Sequence, residues 1–320
     1  MEAKLRWVPA AAVAPIAWGS TYLVTARFLP EDAPLYGAVF RALPAGLLLL
    51  ALRRKLPHGA WWWKAAVLGT LNMGAFFALV YLAAQLLPAG IASTLMATSP
   101  VAMMLMAWAL ISERPRIPIL AGAALGITGV SVMLLTGTTA VRGTGVAASL
   151  AAMGMSSLGY VLAKKWGTGG DTVAQTSWQL IAGGTLLIPA ALLLEGAPPQ
   201  LDGPAIVAFS YVSVIATAVA FACWFAALGR LGAGTVGLIG LLNPITGVLL
   251  GTAIAGEVLT GRQMGGMALI LLGILLGQPA LTSRLPLSHW RPFRQEQRAP
   301  VGQSGPDAPV EPKRITSGTV

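Results

Sequence analysis

Arg41 is the costliest residue in this chain to place, a permanent cation inside the apolar run that opens at Pro34. If that run is a helix, Arg41 lies roughly 10 Å below its start at 1.5 Å of rise per residue. An arginine at the centre of a bilayer costs at least about 2.5 kcal/mol, so it has to face a bundle interior or a wet cavity. There its planar fork can take a substrate carboxylate in two parallel hydrogen bonds. Two blander uses stay open: a stem that snorkels to the interface, or a guanidinium paired with helix-end carbonyls.

Around it stand flat and polar side chains within other apolar runs. Trp18, Tyr22, Tyr81, Tyr160 and Trp224, with Trp178, offer ring faces to aromatic or cationic cargo. The same rings serve helix packing equally well. Ser20, Ser99, Gln179 and Asn243, with Asn72 and Thr94, can hydrogen-bond cargo or tie helices together at about 0.6 kcal/mol each. Arg41, Trp18, Ser20, Tyr22, Tyr81, Ser99, Tyr160, Gln179, Trp224 and Asn243 are therefore the expected substrate-binding set, and no residue is expected to be catalytic. Pro100 and Pro244 each remove a helical hydrogen bond and are expected to kink their segments at mid-length, as a gate would. Glu113 and Glu257 end those same segments beside Arg114 or Arg116 and Arg262. Structural ion pairs at helix ends are the expected role, with proton relay the alternative.

The elements that carry these residues are apolar throughout. The chain is 56% apolar and 10% charged over 320 residues, with mean hydropathy +0.73. Ordinary soluble domains carry about 25% charged residues, so the solvent implied here is lipid. Ten segments of spanning length fall at 7–27, 34–53, 62–86, 90–111, 117–136, 142–164, 173–194, 204–227, 233–254 and 262–279. Helices are expected, because lipid offers backbone groups no partners and the alternation of a porin strand is absent. Lys and Arg gather on one set of connections, at Arg53 to Lys55, Lys64, Arg114, Arg116, Lys164, Lys165 and Arg230, leaving Arg27, Arg142 and Arg262 opposite. The positive-inside rule then puts both termini in the cytoplasm. Residues 1–6 form a short cytoplasmic start, and 280–320 a basic, Pro- and Ser-rich tail expected to be disordered.

The chain repeats itself. Gly90 to Glu113 and Gly234 to Glu257 align without a gap, so that Pro100 matches Pro244 and Glu113 matches Glu257, each 144 residues apart. At the same offset Tyr81 falls on Phe225, Gly122 on Gly266 and Gly129 on Gly273. Earlier in each half the offset is 138, pairing Tyr22 with Tyr160, Arg41 with Gln179 and Gly46 with Gly184. A site built on Arg41 is thus asymmetric. Five segments per copy, 7–136 and 142–279, force the copies to enter the membrane in opposite senses. The expected fold class is an all-α membrane protein of ten transmembrane helices arranged as two inverted five-helix repeats.

With Trp18-Gly19-Ser20, Phe40-Arg41 and the doubled pattern of Gly90, Pro100 and Glu113 in view, the chain resembles the EamA type of the drug/metabolite transporter superfamily. That resemblance implies a secondary transporter, mostly an exporter of amino acids, drugs or other small metabolites, in a bacterial-type inner membrane. Phe40 to Leu50 and Leu241 to Gly251 look especially like the branch assigned to pigment efflux. Cargo does not follow from architecture.

Other classes fare worse. A membrane-embedded enzyme needs a nucleophile with its base or a metal cluster, and no GxSxG, HExxH or DxxD pattern occurs. One cysteine, Cys223, and two histidines, His58 and His289, make no zinc set, so no metal or cofactor is expected. The net charge of +10 is not laid out as a basic, aromatic-studded stripe, which argues against a nucleic-acid partner. A channel stays open as an alternative, as does the choice between monomer and homodimer. Partners are the bilayer and a small-molecule substrate.

Overall fold

The computed structural model describes residues 6–28, 33–86, 95–134, 142–167, 170–255 and 260–277, and every regular element among them is helical. Helix α1 is Trp7–Phe28 and α2 is Pro34–Arg53. A third rod joins α3 (Trp61–Gly69), a π-helical turn over Thr70–Gly74, and α4 (Ala75–Leu86). Next come α5 (Ser99–Ile111), α6 (Ile117–Leu134), α7 (Gly143–Trp166) and α8 (Thr172–Leu194). Another composite rod joins α9 (Gly203–Ser213), a π-helical turn over Val214–Val219, and α10 (Ala220–Leu228). The described helices end with α11 (Ala233–Gly240), α12 (Leu242–Ala255) and α13 (Gly261–Leu276).

Local chemistry fixes the ends. Pro34 opens α2, where a missing N–H is no loss. Asp171 and Asp202 cap α8 and α9 by accepting from the Ala174 and Ala205 N–H groups. Thr260 and Gln263 close a reciprocal capping box on α13.

Five helical stretches, Pro34–Arg53, Trp61–Val80, Gly143–Trp166, Thr172–Leu194 and Gly203–Leu228, are long and apolar enough to cross a membrane. Around them the usual radial order is reversed. Leu52, Leu193, Leu194 and Val207 face outward, while Asn72, Thr176, Ser177, Gln179 and Thr217 are buried among alanines. An exterior that apolar is stable only in hydrocarbon. The protein is a multi-pass membrane protein.

Without water to expel, helices associate by close packing of small residues. Helices α6 and α13 run antiparallel: a Cβ on Gly122 would strike the Gly273 carbonyl, one on Gly273 would strike the Gly122 carbonyl, and one on Gly129 would lie 2.6 Å from the Gly266 carbonyl. Helices α2 and α8 do the same, with a Cβ on Gly46 2.7 Å from Ile181 and one on Gly184 2.8 Å from Leu43. Both sets of contacts are reciprocal under the sequence repeat. The wider packing follows suit, since α7 lies against α4 and α5 as α1 lies against α10 and α12.

The α2/α8 pair is clasped at both ends. Glu195 accepts from the Leu35 and Tyr36 N–H groups at 2.6 and 2.9 Å, and the Tyr36 hydroxyl donates to the Gly196 carbonyl at 2.6 Å. At the other end Asp171 takes Arg53 at 2.7 Å and Lys55 at 3.0 Å. Burial raises the Asp171 carboxyl, but hydrogen bonds from Arg53, Lys55 and the Ala174 N–H, with the Arg53 charge, outweigh it and hold the group at about 2.

The prolines differ from expectation in a definite way. Ala97 and Thr98 form a turn, and α5 starts anew at Ser99 with Pro100 in its first turn. Likewise α11 stops at Gly240, Leu241 is a turn, and Pro244 sits in the first turn of α12. Neither residue bends a continuous helix at mid-length. A proline in a first turn forfeits no intrahelical bond, so a break costs less here than a kink.

Candidate functional site

Arg41 lies on the face of α2 toward the second π turn. Its Nε donates to Thr217 Oγ1 at 2.7 Å, one Nη donates to the Ala216 carbonyl at 3.3 Å, and its guanidinium stacks over Phe77 at 4.9 Å. The turn supplies both acceptors. In a regular α-helix the Ala220 N–H would bond Ala216; here it reaches Ile215 and Thr217. The Ala216 carbonyl is left for side chains, and Trp18 Nε1 also donates to it at 3.0 Å. A π turn thus opens the backbone where a cation is to be held.

The first π turn has the matching arrangement in neutral form. Asn72, which the 144-residue offset pairs with Ala216, donates through Nδ2 to Gln179 Oε1 at 3.0 Å. Gln179 is the counterpart of Arg41, and its Nε2 donates to the Gln175 carbonyl at 3.2 Å. Asn72 Oδ1 is buried without a hydrogen-bond partner, pressed against Gly159. Where one half holds a guanidinium, the other holds a pair of amides.

Between these arrangements the rings gather. Trp18 packs on Trp224 at 5.2 Å and on Phe221 at 5.0 Å, and Tyr160 packs on Trp224 at 5.5 Å and Phe225 at 5.8 Å. Trp224 Nε1 is a buried donor without a partner. Of the ten expected binding residues, Trp18, Tyr160 and Trp224 form this cluster, and Arg41 adjoins it through the Ala216 carbonyl that it shares with Trp18. Gln179 lies at the equivalent point of the other half.

The remaining residues are elsewhere. Ser20 shares a 2.6 Å hydrogen bond with the Tyr211 hydroxyl and lines an outer, largely apolar groove with Val13, Ile16 and Thr246. Ser99 opens α5. Asn243 lies in the first turn of α12, where a Cβ on Gly19 would stand 2.6 Å from its carbonyl. Trp178, grouped with the interior rings by sequence, lies in the second turn of α8 against the segment just past α2: its Nε1 donates to the Lys55 carbonyl at 2.7 Å, beside Trp61 and His58. The side chains of Tyr22 and Tyr81, and the whole of Thr94, Glu257 and the 280–320 tail, lie outside the described residues.

Glu113 has a partner other than its sequence neighbours. It pairs with Lys164 and accepts from the Ala233 N–H at 3.0 Å, while Lys164 also donates to the Leu231 carbonyl at 2.7 Å. One carboxylate therefore ties the end of α5 and the end of α7 to the start of α11, at whose amino end a negative charge is favoured. Lys164 stands out in sequence only as one of several orientation markers.

A bundle with an apolar exterior, broken and π-turned rods, and a guanidinium beside a ring cluster inside is built as a membrane transporter. The chain belongs to the EamA-like transporter family, whose model matches residues 5–135 and again 143–277. It is 34% identical over 268 residues to Protein PecM of Dickeya dadantii, across 83% of this chain and 90% of that protein. To the Probable amino-acid metabolite efflux pump of Salmonella typhimurium it is 29% identical over 280 residues, across 82% of this chain and 91% of that one. The uncharacterized inner membrane transporter YedA of Escherichia coli is 29% identical over 270 residues, across 82% and 87%. A solved crystal structure shares the fold, with a TM-score of 0.75 at 19% identity, covering 87% of this chain and 98% of that one.

Proposed function

We propose that the protein is a secondary carrier of the inner membrane that exports small amphipathic metabolites by alternating access between two inverted five-helix halves, 7–136 and 142–279, with both termini cytoplasmic. The reciprocal contacts carry this reading. Gly122 meets Gly273 as Gly129 meets Gly266, and Gly46 meets Ile181 as Gly184 meets Leu43, which is what a two-fold axis in the membrane plane produces. The π turns at Thr70–Gly74 and Val214–Val219 begin 144 residues apart, so the repeat extends to irregular backbone. The breaks before Pro100 and Pro244 supply corresponding hinge points in the two halves, and rocking about them would expose the ring cluster to each side in turn.

Cargo is held at Arg41, with Trp18, Tyr160 and Trp224 against its flat part and the unpartnered Trp224 donor toward its acceptors. The test is uptake into proteoliposomes of purified variants. Arg41→Ala and Arg41→Lys should each lower transport at least about tenfold, since an ammonium cannot reproduce the fork. Wild-type rates for both, at equal protein and equal melting temperature, would remove Arg41 from the site. The Salmonella relative's name makes amino-acid metabolites the first cargo to try.

A further inference from the structure

The bundle interior opens beside the ends of α7, α8 and α10 into a cavity of about 310 Å³ whose walls include Lys164, Gln175, Thr176, Gln179, Phe225 and Arg230. Its chemistry changes with depth. Arg230 and Lys164 are the charged groups among the described lining residues, and Lys164 already pairs with Glu113 just behind the wall, so Arg230 supplies the net positive charge. Further in stand Gln175, Thr176 and Gln179, each less than a tenth exposed. The Gln175 amide is wedged between Gly167 and Gly170, positions at which any Cβ would strike it, so its orientation is fixed by the glycines. Phe225 leads inward by its edge-on contact with Tyr160 to the ring cluster beside Arg41.

A concavity with an excess cation at its mouth concentrates anions and turns cations away. Its amides add donors and acceptors that fix a ligand's orientation, and its volume suits a small molecule. On the proposed topology this opening faces the cytoplasm, the side from which an exporter loads.

We propose that this cavity is a loading vestibule that binds small organic carboxylates, preferring them over neutral and cationic analogues of the same shape, before they pass to Arg41. The final clause rests on the function proposed above; binding at the vestibule does not.

The experiment uses the purified full chain and three probes that share one ring system: indoleacetate, indoleacetamide and tryptamine. Calorimetry gives affinities, and melting without probe checks each variant's fold. Indoleacetate should bind wild type at least about tenfold more tightly than either analogue, a difference of about 1.4 kcal/mol. Arg230→Gln and Gln175→Leu should weaken it at least about tenfold, and Gly170→Ala, which displaces the Gln175 amide without touching charge, should weaken it in the same direction. Arg41→Gln should lose transport and any binding at Arg41, while the binding event that Arg230→Gln and Gln175→Leu weaken persists. No binding to wild type, or equal binding of tryptamine, overturns the proposal. It is equally overturned if Arg41→Gln abolishes binding while Arg230→Gln and Gln175→Leu leave it intact, and that outcome would leave the Arg41 reading standing. Binding and transport both intact in Arg41→Gln would instead sink the Arg41 reading and spare the vestibule.

Discussion

Thr217 is the residue on which the setting of Arg41 turns, because its hydroxyl accepts from Nε and itself donates to the Val212 carbonyl at 2.8 Å. Thr217→Val keeps the shape and deletes the acceptor. A hydrogen bond to a charged group contributes about 1.5–3 kcal/mol, so melting should fall by several degrees and KM should rise, while Ser in its place should restore both. An unchanged KM would mean that the guanidinium is held without Thr217. Asp171 gives a prediction in pH. Its folded carboxyl, held near 2, lies below the unfolded value of about 3.9, so its contribution is fully present above pH ~4 and disappears as pH falls toward ~2. Its partners are about half exposed, which screens the pair to around 1 kcal/mol. Asp171→Asn, which keeps the cap acceptor, should therefore melt lower than wild type at neutral pH, with the gap closing over that acid window; a constant gap would mean that the charge contributes nothing to it. What was readable at this scale was charge out of place. Arg41 announces itself because lipid makes a cation expensive, whereas Thr217 is one threonine among many and a π turn has no residue signature. For Glu113 the sequence offers only neighbours along the chain as partners, whereas Lys164 reaches it from 51 residues away.

Glycines placed by the repeat set the helix pairs, and their cost can be ranked. A Cβ on Gly122 or Gly273 would strike backbone oxygen, which no rotamer change relieves, whereas one on Gly37 or Gly154 meets nothing within 4 Å. Gly122→Ala and Gly273→Ala should each destabilise by about 1–3 kcal/mol, read as lower melting in detergent, while Gly37→Ala and Gly154→Ala should hardly move it. The two damaging changes should also fail to add when combined, because both push the same helices apart. Additivity would mean that α6 and α13 yield independently. The helical elements themselves were legible to within a few residues, since unbroken apolar length is the signal and turn residues bound it. The breaks within 90–111 and 233–254 were not, because a proline reads the same whether it bends a helix or begins one. What distinguishes them is the neighbouring backbone: the Thr98 hydroxyl donates to the Leu95 carbonyl at 2.7 Å and so closes the turn before α5.

Pairs of clasped ends assign whole connections to common faces of the molecule. Asp171 joins Arg53 and Lys55, and Glu113 joins Lys164 and the start of α11, so those ends share faces. Glu195 binds the start of α2, across the length of α2 from Arg53. Among the described ends, Arg53, Lys55, Lys164 and Arg230 thus fall on one side and Glu195 on the other, and on the proposed topology the basic side is cytoplasmic. Orientation in the cell is the step that geometry leaves to charge, and it decides whether the cationic vestibule loads cargo for export. The single cysteine simplifies the measurement: Cys223→Ser leaves a background without thiols, into which Arg54→Cys, Arg116→Cys and Gln200→Cys are placed one at a time. An impermeant maleimide added to intact spheroplasts should label Gln200→Cys alone, and all three should react once the membrane is opened. Labelling of Arg54→Cys and Arg116→Cys from outside, with Gln200→Cys protected, would turn the molecule over and make the vestibule an uptake mouth. Labelling of all three from outside would contradict the clasped-end geometry, since Arg54 and Gln200 would then share a face that the length of α2 keeps apart.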